Sequence, residues 1–142
     1  AVVGAIAPQI EGVRDIQERR ESIGNLNAFA LAHRAWATEW SQTMIHDRGS
    51  RDEAARLARM ALEIEPDCAL AWRTLAIVHW GHTYHNTTDS TAETLAEGLD
   101  ACSRAISLDG SDHHAWRMKG LLHFMAEQPE TGLSELRLAG HL

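Results

Sequence analysis

The stretch DCALAWRTLAIVHW, residues 67–80, returns in altered form as DHHAWRMKGLLHF, residues 112–124, and this repetition decides the fold. In each copy a tryptophan is followed four positions later by a small residue, then by a histidine and at once by a second aromatic residue. Apolar residues recur at three- and four-residue steps, which predicts that both copies form α-helices. The corresponding residues lie 44 positions apart and are Trp72 and Trp116, Ala76 and Gly120, His79 and His123, and Trp80 and Phe124.

A second unit precedes each copy and also repeats. It reads EAARLARMALEIEPD at residues 53–67 and GLDACSRAISLDGSD at residues 98–112. Small residues spaced along one face let two helices approach closely, and Trp or Leu of the partner helix fills the groove between them. The chain is therefore expected to consist of alternating helices that pack in pairs. The small residues are Ala54, Ala58 and Ala61 in one unit and Gly98, Cys102 and Ala105 in the other.

Together the two units resemble the tetratricopeptide family, a 34-residue helix–turn–helix repeat. Its pattern carries Trp, Leu, Gly and Tyr on the first helix, then Ala, Phe or Ala, Ala and a closing Pro on the second. The sequence departs from the family where histidine twice replaces tyrosine and where Gly110 stands in the place of Pro66. The matching residues are Trp72, Leu75, Ala76 and His79 on a first helix, Ala54, Ala58, Ala61 and Pro66 on the preceding second helix, and Trp116, Gly120, His123, Gly132, Leu136 and Ala139 in a last partial copy.

The resemblance implies an all-α fold in which about three repeats stack as a right-handed α-solenoid of about seven helices. Residues 1–24 are expected to form a linker or packing helix, and residues 25–142 the repeat domain. The surplus over the family's repeat length is assigned to an insertion near residues 85–94, HNTTDSTAET. We place the helices at residues 5–22, 27–45, 51–64, 69–85, 91–107, 113–127 and 130–141.

Local signals mark where helices begin. In a capping box a serine accepts a hydrogen bond from the backbone three residues on, and a glutamate reaches back from that position. Asp and a proline in the first turn are further start signals. The predicted starts are the capping boxes Ser50 to Glu53 and Ser90 to Glu93, then Asp67, Asp112 and the pair Gln128 and Pro129.

Composition and charge exclude several classes of function. The 142 residues include 20 acidic and 13 basic residues, a net charge of -7, whereas phosphate binding needs a basic surface that releases counterions. We therefore expect no nucleic-acid partner. No stretch approaches the roughly 20 apolar residues of a membrane-spanning helix, so no membrane contact is expected. Cys68 and Cys102 form no CxxC motif, which favours two reduced thiols in a cytoplasmic protein.

Motifs for catalysis are missing, so the chain is expected to be neither an enzyme nor the holder of a cofactor. It has no GxSxG elbow and no glycine-rich phosphate loop. Its histidines raise a metal hypothesis, because His79, His82 and His85 form HxxHxxH and neighbours three apart share one side of a helix. Since His79 and His123 both occupy the slot of a packed tyrosine, we expect a packing role and no metal site.

The resemblance also predicts a partner-binding surface, because the first helix of each repeat in the family lines a concave groove. Arginine can hold a carboxylate with two parallel hydrogen bonds, and Trp and Arg are common interface anchors. We expect an acidic and partly apolar segment to bind there. The alternative is that Trp80 and Phe124 merely pack against the insertion or a neighbouring helix. The groove residues are Leu70, Arg73, Ile77 and Trp80 of one repeat and His114, Arg117, Leu121 and Phe124 of the next.

A closer resemblance concerns the segment at residues 6–35 and the joints ALEIEPDCALAW and AISLDGSDHHAW. Followed by repeats with a long insertion, this segment is similar to the C-terminal repeat region of bacterial class III adenylate or guanylate cyclases, and to the repeat region of bacterial winged-helix transcriptional regulators. The resemblance implies a regulatory module that contacts another protein or an adjoining domain. The alternatives are a dimerisation module, a free-standing adaptor and a metal-responsive module.

Overall fold

The computed structural model describes residues 27–38 and 48–142, and every helix or strand in these two ranges is an α-helix. This confirms the predicted all-α class. The helix predicted at 5–22, which would be a seventh, lies outside the described residues, as does the predicted helix at 27–45 beyond residue 38. The six described helices are α1 (residues 27–38), α2 (Arg48–Ile64), α3 (Ala69–Tyr84), α4 (Thr91–Leu108), α5 (His113–Met125) and α6 (Pro129–Ala139).

Most of the predicted helix starts are confirmed. Asp112 caps α5, because its carboxylate accepts hydrogen bonds from the backbone N–H groups of His114 at 3.0 Å and of Ala115 at 3.1 Å. Ser90 caps α4 through a longer bond of 3.5 Å from the N–H of Glu93. Pro129 opens α6, where its missing N–H costs nothing.

Two start signals were interpreted wrongly. Ser50 lies inside the first turn of α2, which already includes Arg48, so the predicted capping box does not open this helix. Glu53 instead forms a double hydrogen bond with the guanidinium of Arg56 at 2.7 and 2.8 Å. Helix α3 begins at Ala69, as predicted, but its N-cap is Cys68 rather than Asp67, and the Cys68 side chain makes no capping hydrogen bond.

The helices pack in chain order. From α2 to α6 each helix contacts the next, and α3 also contacts α5, whereas α2 and α4 do not contact each other. The buried core is rich in alanine, as the small-residue pattern predicts, and α1 contributes Ala32 and Ala35 to it. The closest approach joins α5 to α6, where a Cβ on Gly132 would lie 2.6 Å from the carbonyl oxygen of Gly120.

Two tryptophans attach a helix to the turn that precedes it. The indole N–H of Trp72 donates to the carbonyl oxygen of Pro66 at 2.8 Å, and that of Trp116 donates to the carbonyl oxygen of Gly110 at 2.9 Å. The two bonds are equivalent, since each spans six residues. Gly110 can therefore stand in the place of Pro66, because the contact uses a backbone oxygen and no proline ring.

The insertion near 85–94 combines a loop at residues 85–90 with the first turn of α4. Compared with α5 and α6, helix α3 gains about one turn at its end and α4 about one turn at its start. Asn86 adopts a left-handed φ of 52° after α3, and Glu127 one of 59° after α5, so both helices end in the same way. The added turns extend beyond the shorter α5–α6 pair and border a cleft described below.

Candidate functional site

The described part of the chain brings together side chains from α1, α3 and α5 in one cluster. The guanidinium of Arg73 lies 4.4 Å from the ring centre of Trp36, a cation–π distance. The ring of His114 meets the same indole edge-on, with centroids 5.6 Å apart. Nη1 of Arg73 lies 3.3 Å from a carboxylate oxygen of Asp112, the residue that caps α5. We call Trp36, Arg73, Asp112 and His114 the groove cluster.

Two nitrogens of the groove cluster are buried and have no hydrogen-bond partner among the described residues. They are Nε of Arg73 and Nδ1 of His114. Burial is the largest cause that lowers the pKa of His114, and the neighbouring His113, Arg73 and Arg117 act in the same direction. The imidazole is therefore neutral at neutral pH, and its Nδ1 is able to donate or accept according to the tautomer. Buried nitrogens without partners are rare in folded proteins, so their presence here calls for an explanation.

The structure separates the two arginines that the sequence treats as equivalent. The Arg73 side chain is only 21% exposed and bonded within the groove cluster. Arg117 is exposed, and within residues 27–38 and 48–142 it forms no hydrogen bond, ion pair or ring contact. Its guanidinium stays available beside His114, whose pKa it lowers.

The remaining predicted groove residues divide between core and surface. Leu70 and Leu121 are half-buried against the core, and Ile77 belongs to it with only 9% of its surface exposed. Trp80 stacks on Tyr84 with ring centroids 5.1 Å apart. Phe124 is 40% exposed, and its ring edge lies beside Gly132 of α6.

The sequence interpretation missed Trp36 as a member of the site. A signal was present, because Trp36, Trp80 and Phe124 follow one another at the 44-residue repeat distance. The same distance places Ala28, Ala32 and Ala35 in the slots of Trp72, Ala76 and His79, and all three alanines are buried in α1. The capping role of Asp112 was predicted, but its ion pair with Arg73 was not.

A second feature is a cleft of about 580 Å³ between α2 and α4, with α3 beneath it. His79 and His82 of α3 line it, each with 9% of its surface exposed. Nε2 of His82 lies 3.3 Å from Asp52 of α2, and Nε2 of His79 lies 3.6 Å from Glu97 of α4. Its other lining residues are Arg48, Arg59, Thr87, Thr88, Asp89, Ser90, Glu93 and Thr94.

The environment of the two cleft histidines disfavours their charged form. Burial is the largest cause that lowers the pKa of His79 and of His82, and the carboxylates of Glu97 and Asp52 oppose it only in part. Nδ1 of His82 lies 2.9 Å from the hydroxyl oxygen of Thr87, which fixes the ring. Both imidazoles are therefore neutral at neutral pH.

The histidines do not assemble into a metal centre in the part of the chain that the structure describes. There, no group of three or more His, Cys, Asp or Glu side chains is placed to hold a metal ion. His123, which fills the same repeat slot as His79, contacts a carboxylate oxygen of Glu135 at 2.5 Å. As predicted from their shared slot, His79 and His123 both pack between helices.

The two cysteines differ in their environment. Cys102 is buried in the core, and burial raises the pKa of its thiol to about 12, so the thiolate is not formed at neutral pH. Cys68 is half-buried before α3, and both cysteines are free. None of the described helices is both long enough and apolar enough to span a membrane.

No protein-family model matches this sequence, and no curated protein is significantly similar to it. The helix packing and the groove cluster are therefore the observations on which a functional proposal has to rest.

Proposed function

We propose that the chain is a non-catalytic, tetratricopeptide-like module that binds an acidic segment of a partner protein, or of an adjoining domain, on the face shared by α1, α3 and α5. The observation that carries the proposal is the groove cluster, in which three successive odd-numbered helices each contribute one side chain around two unpartnered nitrogens. A surface formed by several repeat units is the usual binding site of a helical repeat protein.

The packing order supports a stacked-repeat architecture. In an α-solenoid the first helices of neighbouring repeats touch, while the second helices touch mainly the first helices beside them. The contact between α3 and α5, together with the absence of one between α2 and α4, follows this pattern. We accordingly propose a right-handed solenoid that begins with the α1–α2 pair.

The charges of the cluster favour a carboxylate-bearing partner. Within a protein of net charge -7, a place where the two arginines Arg73 and Arg117 come close is a local exception. Asp112 neutralises part of the Arg73 charge, but Arg117 stays exposed. A carboxylate can accept two parallel hydrogen bonds from the exposed guanidinium of Arg117, while the buried Arg73 contributes its positive charge nearby.

The test is a selection of random twelve-residue peptides on the purified chain. We expect the recovered peptides to be enriched in Asp or Glu next to an apolar residue. The double variant Arg73→Glu, Arg117→Glu should weaken their binding at least about tenfold, measured by fluorescence anisotropy, because it turns two donors into repelling carboxylates.

The matched control is the double variant Arg104→Glu, Arg137→Glu, which makes the same change of charge on α4 and α6. Its peptide affinity should stay within about twofold of the unmodified chain. Equal losses in the two double variants would reduce the effect to net charge and contradict the proposal. So would full binding by the groove variant.

The wider context extends the proposal. We propose that the module serves as the regulatory repeat region of a larger bacterial signalling protein, of the adenylate cyclase or winged-helix regulator kind, and that it works in the cytoplasm. Expression of the parent protein with the Arg73→Glu, Arg117→Glu change tests this point. A signalling output that ignores the change would separate the module from regulation and leave a free-standing adaptor.

Self-association is the second candidate, and α6 carries the observation in its favour. Leu133, Leu138 and Leu142 at the C-terminal end are between 41% and 54% exposed. Leu133 fills the repeat slot of Leu99, which packs against the core in α4. Sedimentation velocity at rising concentration distinguishes the two candidates. A dimer that Leu133→Glu dissociates would favour pairing through α6, and a monomer at every concentration would exclude it.

A further inference from the structure

The cleft between α2 and α4 places two buried histidines among charged side chains of both signs, with Arg48, Arg59 and four carboxylates in its lining. His82 is faced from α2 by Arg48, Arg51, Asp52 and Arg59, and all three arginines disfavour its protonation. Arg51 is only 2% exposed, and its Nη1 has no hydrogen-bond partner in residues 27–38 and 48–142. The interface between α2 and α3 therefore already holds one buried cation.

The other elements around His82 offer little to balance a second charge. The loop contributes the hydroxyl of Thr87 and the carboxylate of Asp89, but Asp89 bonds to Arg48 at 3.4 Å. Helix α4 contributes Glu93 and Glu97 to the far wall of the cleft. Asp52 is the nearest carboxylate to His82, and Arg48 also approaches it at 3.8 Å.

His79 has a similar environment one turn earlier. Helix α4 faces it with Glu97, helix α2 with Arg59, and its own helix with His82. On the α5 side the apolar side chain of Leu122 lies near it, since a Cβ on Gly98 would contact both His79 and Leu122. Its nearest carboxylate oxygen, at 3.6 Å, lies beyond hydrogen-bond distance and belongs to a largely exposed side chain.

We propose that the contact of α3 with α2, through His79 and His82, is a pH-sensitive switch that loosens when mild acid protonates the two histidines, while the α5–α6 pair stays closed. The charged rings gain partial ion pairs with Asp52 and Glu97, but both histidines are buried and lie close to arginines of α2, of which Arg51 is itself only 2% exposed. Release of α2 lets water and counterions reach Arg51 and the two imidazoles.

The direction follows from linkage. The folded chain holds the two histidines with a pKa below the value of about 6.5 for an exposed imidazole, so the loosened state binds more protons. The closed contact is therefore favoured above about pH 7 and weakens as pH falls through 6.5. Between pH 7.5 and 5.5 each histidine shifts the opening equilibrium by at most about tenfold.

Hydrogen–deuterium exchange of the intact chain tests the switch. Amide protection is measured at pH 7.5 and 5.5 and normalised to the unfolded-peptide rate at each pH. We expect protection in α2 to fall by about tenfold or more at the lower pH, whereas protection in α6 changes by less than about threefold. The double variant His79→Gln, His82→Gln should lose most of the pH response of α2.

The control is His123→Gln, which changes the same residue type in the equivalent repeat slot and should leave the response of α2 intact. If the double variant is unfolded at pH 7.5 by circular dichroism, Arg51→Met decides the question. This variant removes the uncompensated cation, makes protonation of His82 easier in the closed state and should shrink the response. Protection in α2 that does not depend on pH, or an unchanged response in the decisive variant, would overturn the switch.

Discussion

The helix pairs α3–α4 and α5–α6 occupy the same repeat slots, yet they pack differently. In α5–α6 the glycines at the crossing bring two backbones together, and His123 contacts Glu135 across the pair at 2.5 Å. In α3–α4 the corresponding slots hold Ala76 and Gly98, and His79 lies 3.6 Å from a largely exposed Glu97. In the shorter pair, the histidine forms a polar contact between the two helices. In the longer pair, the equivalent histidine lines a cleft.

The difference teaches that the insertion changes the environment of a residue without changing its slot. The added turns carry His82 and supply the loop residues that border the cleft, such as Thr87 and Asp89. His79 is therefore both a packing residue of its repeat and a lining residue of the cleft. The same residue type in the third repeat, His123, has only the first of these roles.

The largest expected effect concerns the glycine crossing of α5 and α6. Gly132→Ala should lower the free energy of unfolding by about 2–3 kcal/mol, because its Cβ would lie 2.6 Å from the backbone oxygen of Gly120, and the gain of about 1 kcal/mol in helix propensity cannot offset that clash. Urea denaturation followed by circular dichroism measures the change.

The matched substitution in the longer pair sharpens the comparison. At Gly98 a Cβ would meet the Leu122 side chain at 2.9 Å and Cβ of His79 at 3.0 Å, so a side chain can yield and Gly98→Ala should cost less than about 1 kcal/mol. Equal losses in the free energy of unfolding for Gly98→Ala and Gly132→Ala would show that the two helix crossings are equally close.

The next largest effect separates the two groove arginines. Arg73→Ala should cost about 2 kcal/mol, because it leaves the Asp112 carboxylate buried without its cation and removes the contact with Trp36. Arg117→Ala should change stability by less than about 0.5 kcal/mol. Thermal unfolding of both variants measures the two losses of stability. An equal loss for Arg117→Ala and Arg73→Ala would contradict this ranking.

A smaller effect is the pH dependence of overall stability. His79 and His82 keep a lowered pKa in the folded chain, so unfolding takes up protons below about pH 6.5 and stability declines with acidification. From pH 7.5 to 5.5 we expect a loss of about 1 kcal/mol in urea titrations. Stability that rises over this range would mean that the Asp52 and Glu97 ion pairs outweigh burial.

The smallest effect compares the two helix caps. Ser90→Ala should cost α4 about 0.5 kcal/mol, since its single capping bond measures 3.5 Å. Asp112→Asn retains a side-chain oxygen that can accept the two capping bonds of α5, so any larger loss at that position reports the ion pair with Arg73. Calorimetry on the two variants tests this order.

The sequence pattern predicts the all-α class and most described helix bounds to within a few residues, because the apolar periodicity and the caps at Asp112 and Ser90 are local signals. It fails at Ser50, where a capping box falls inside α2 and its glutamate bonds to Arg56 instead. A local sequence motif does not show that its glutamate, Glu53, bonds to another side chain rather than to the backbone.

The candidate site was less predictable because it depends on which slots of three repeats meet. The pattern identifies Arg73 and His114 but treats Arg73 and Arg117 as equals, since equivalence in sequence says nothing of neighbours. Only the packing of the helices shows that Trp36 and Asp112 contact Arg73, whereas Arg117 remains exposed. The cleft could not be predicted from the sequence for the same reason, because Asp52 and Glu97 approach α3 from two other helices.

The hydrogen bonds from the indoles of Trp72 and Trp116 to backbone carbonyls affect which substitutions such a chain tolerates during evolution. Since the acceptor is a main-chain oxygen, the position of Pro66 and Gly110 can be either proline or glycine without loss of the hydrogen bond. The two indoles are also built-in optical reporters of these joints. Loss of either hydrogen bond should shift tryptophan emission to longer wavelength before the rest of the fold is lost.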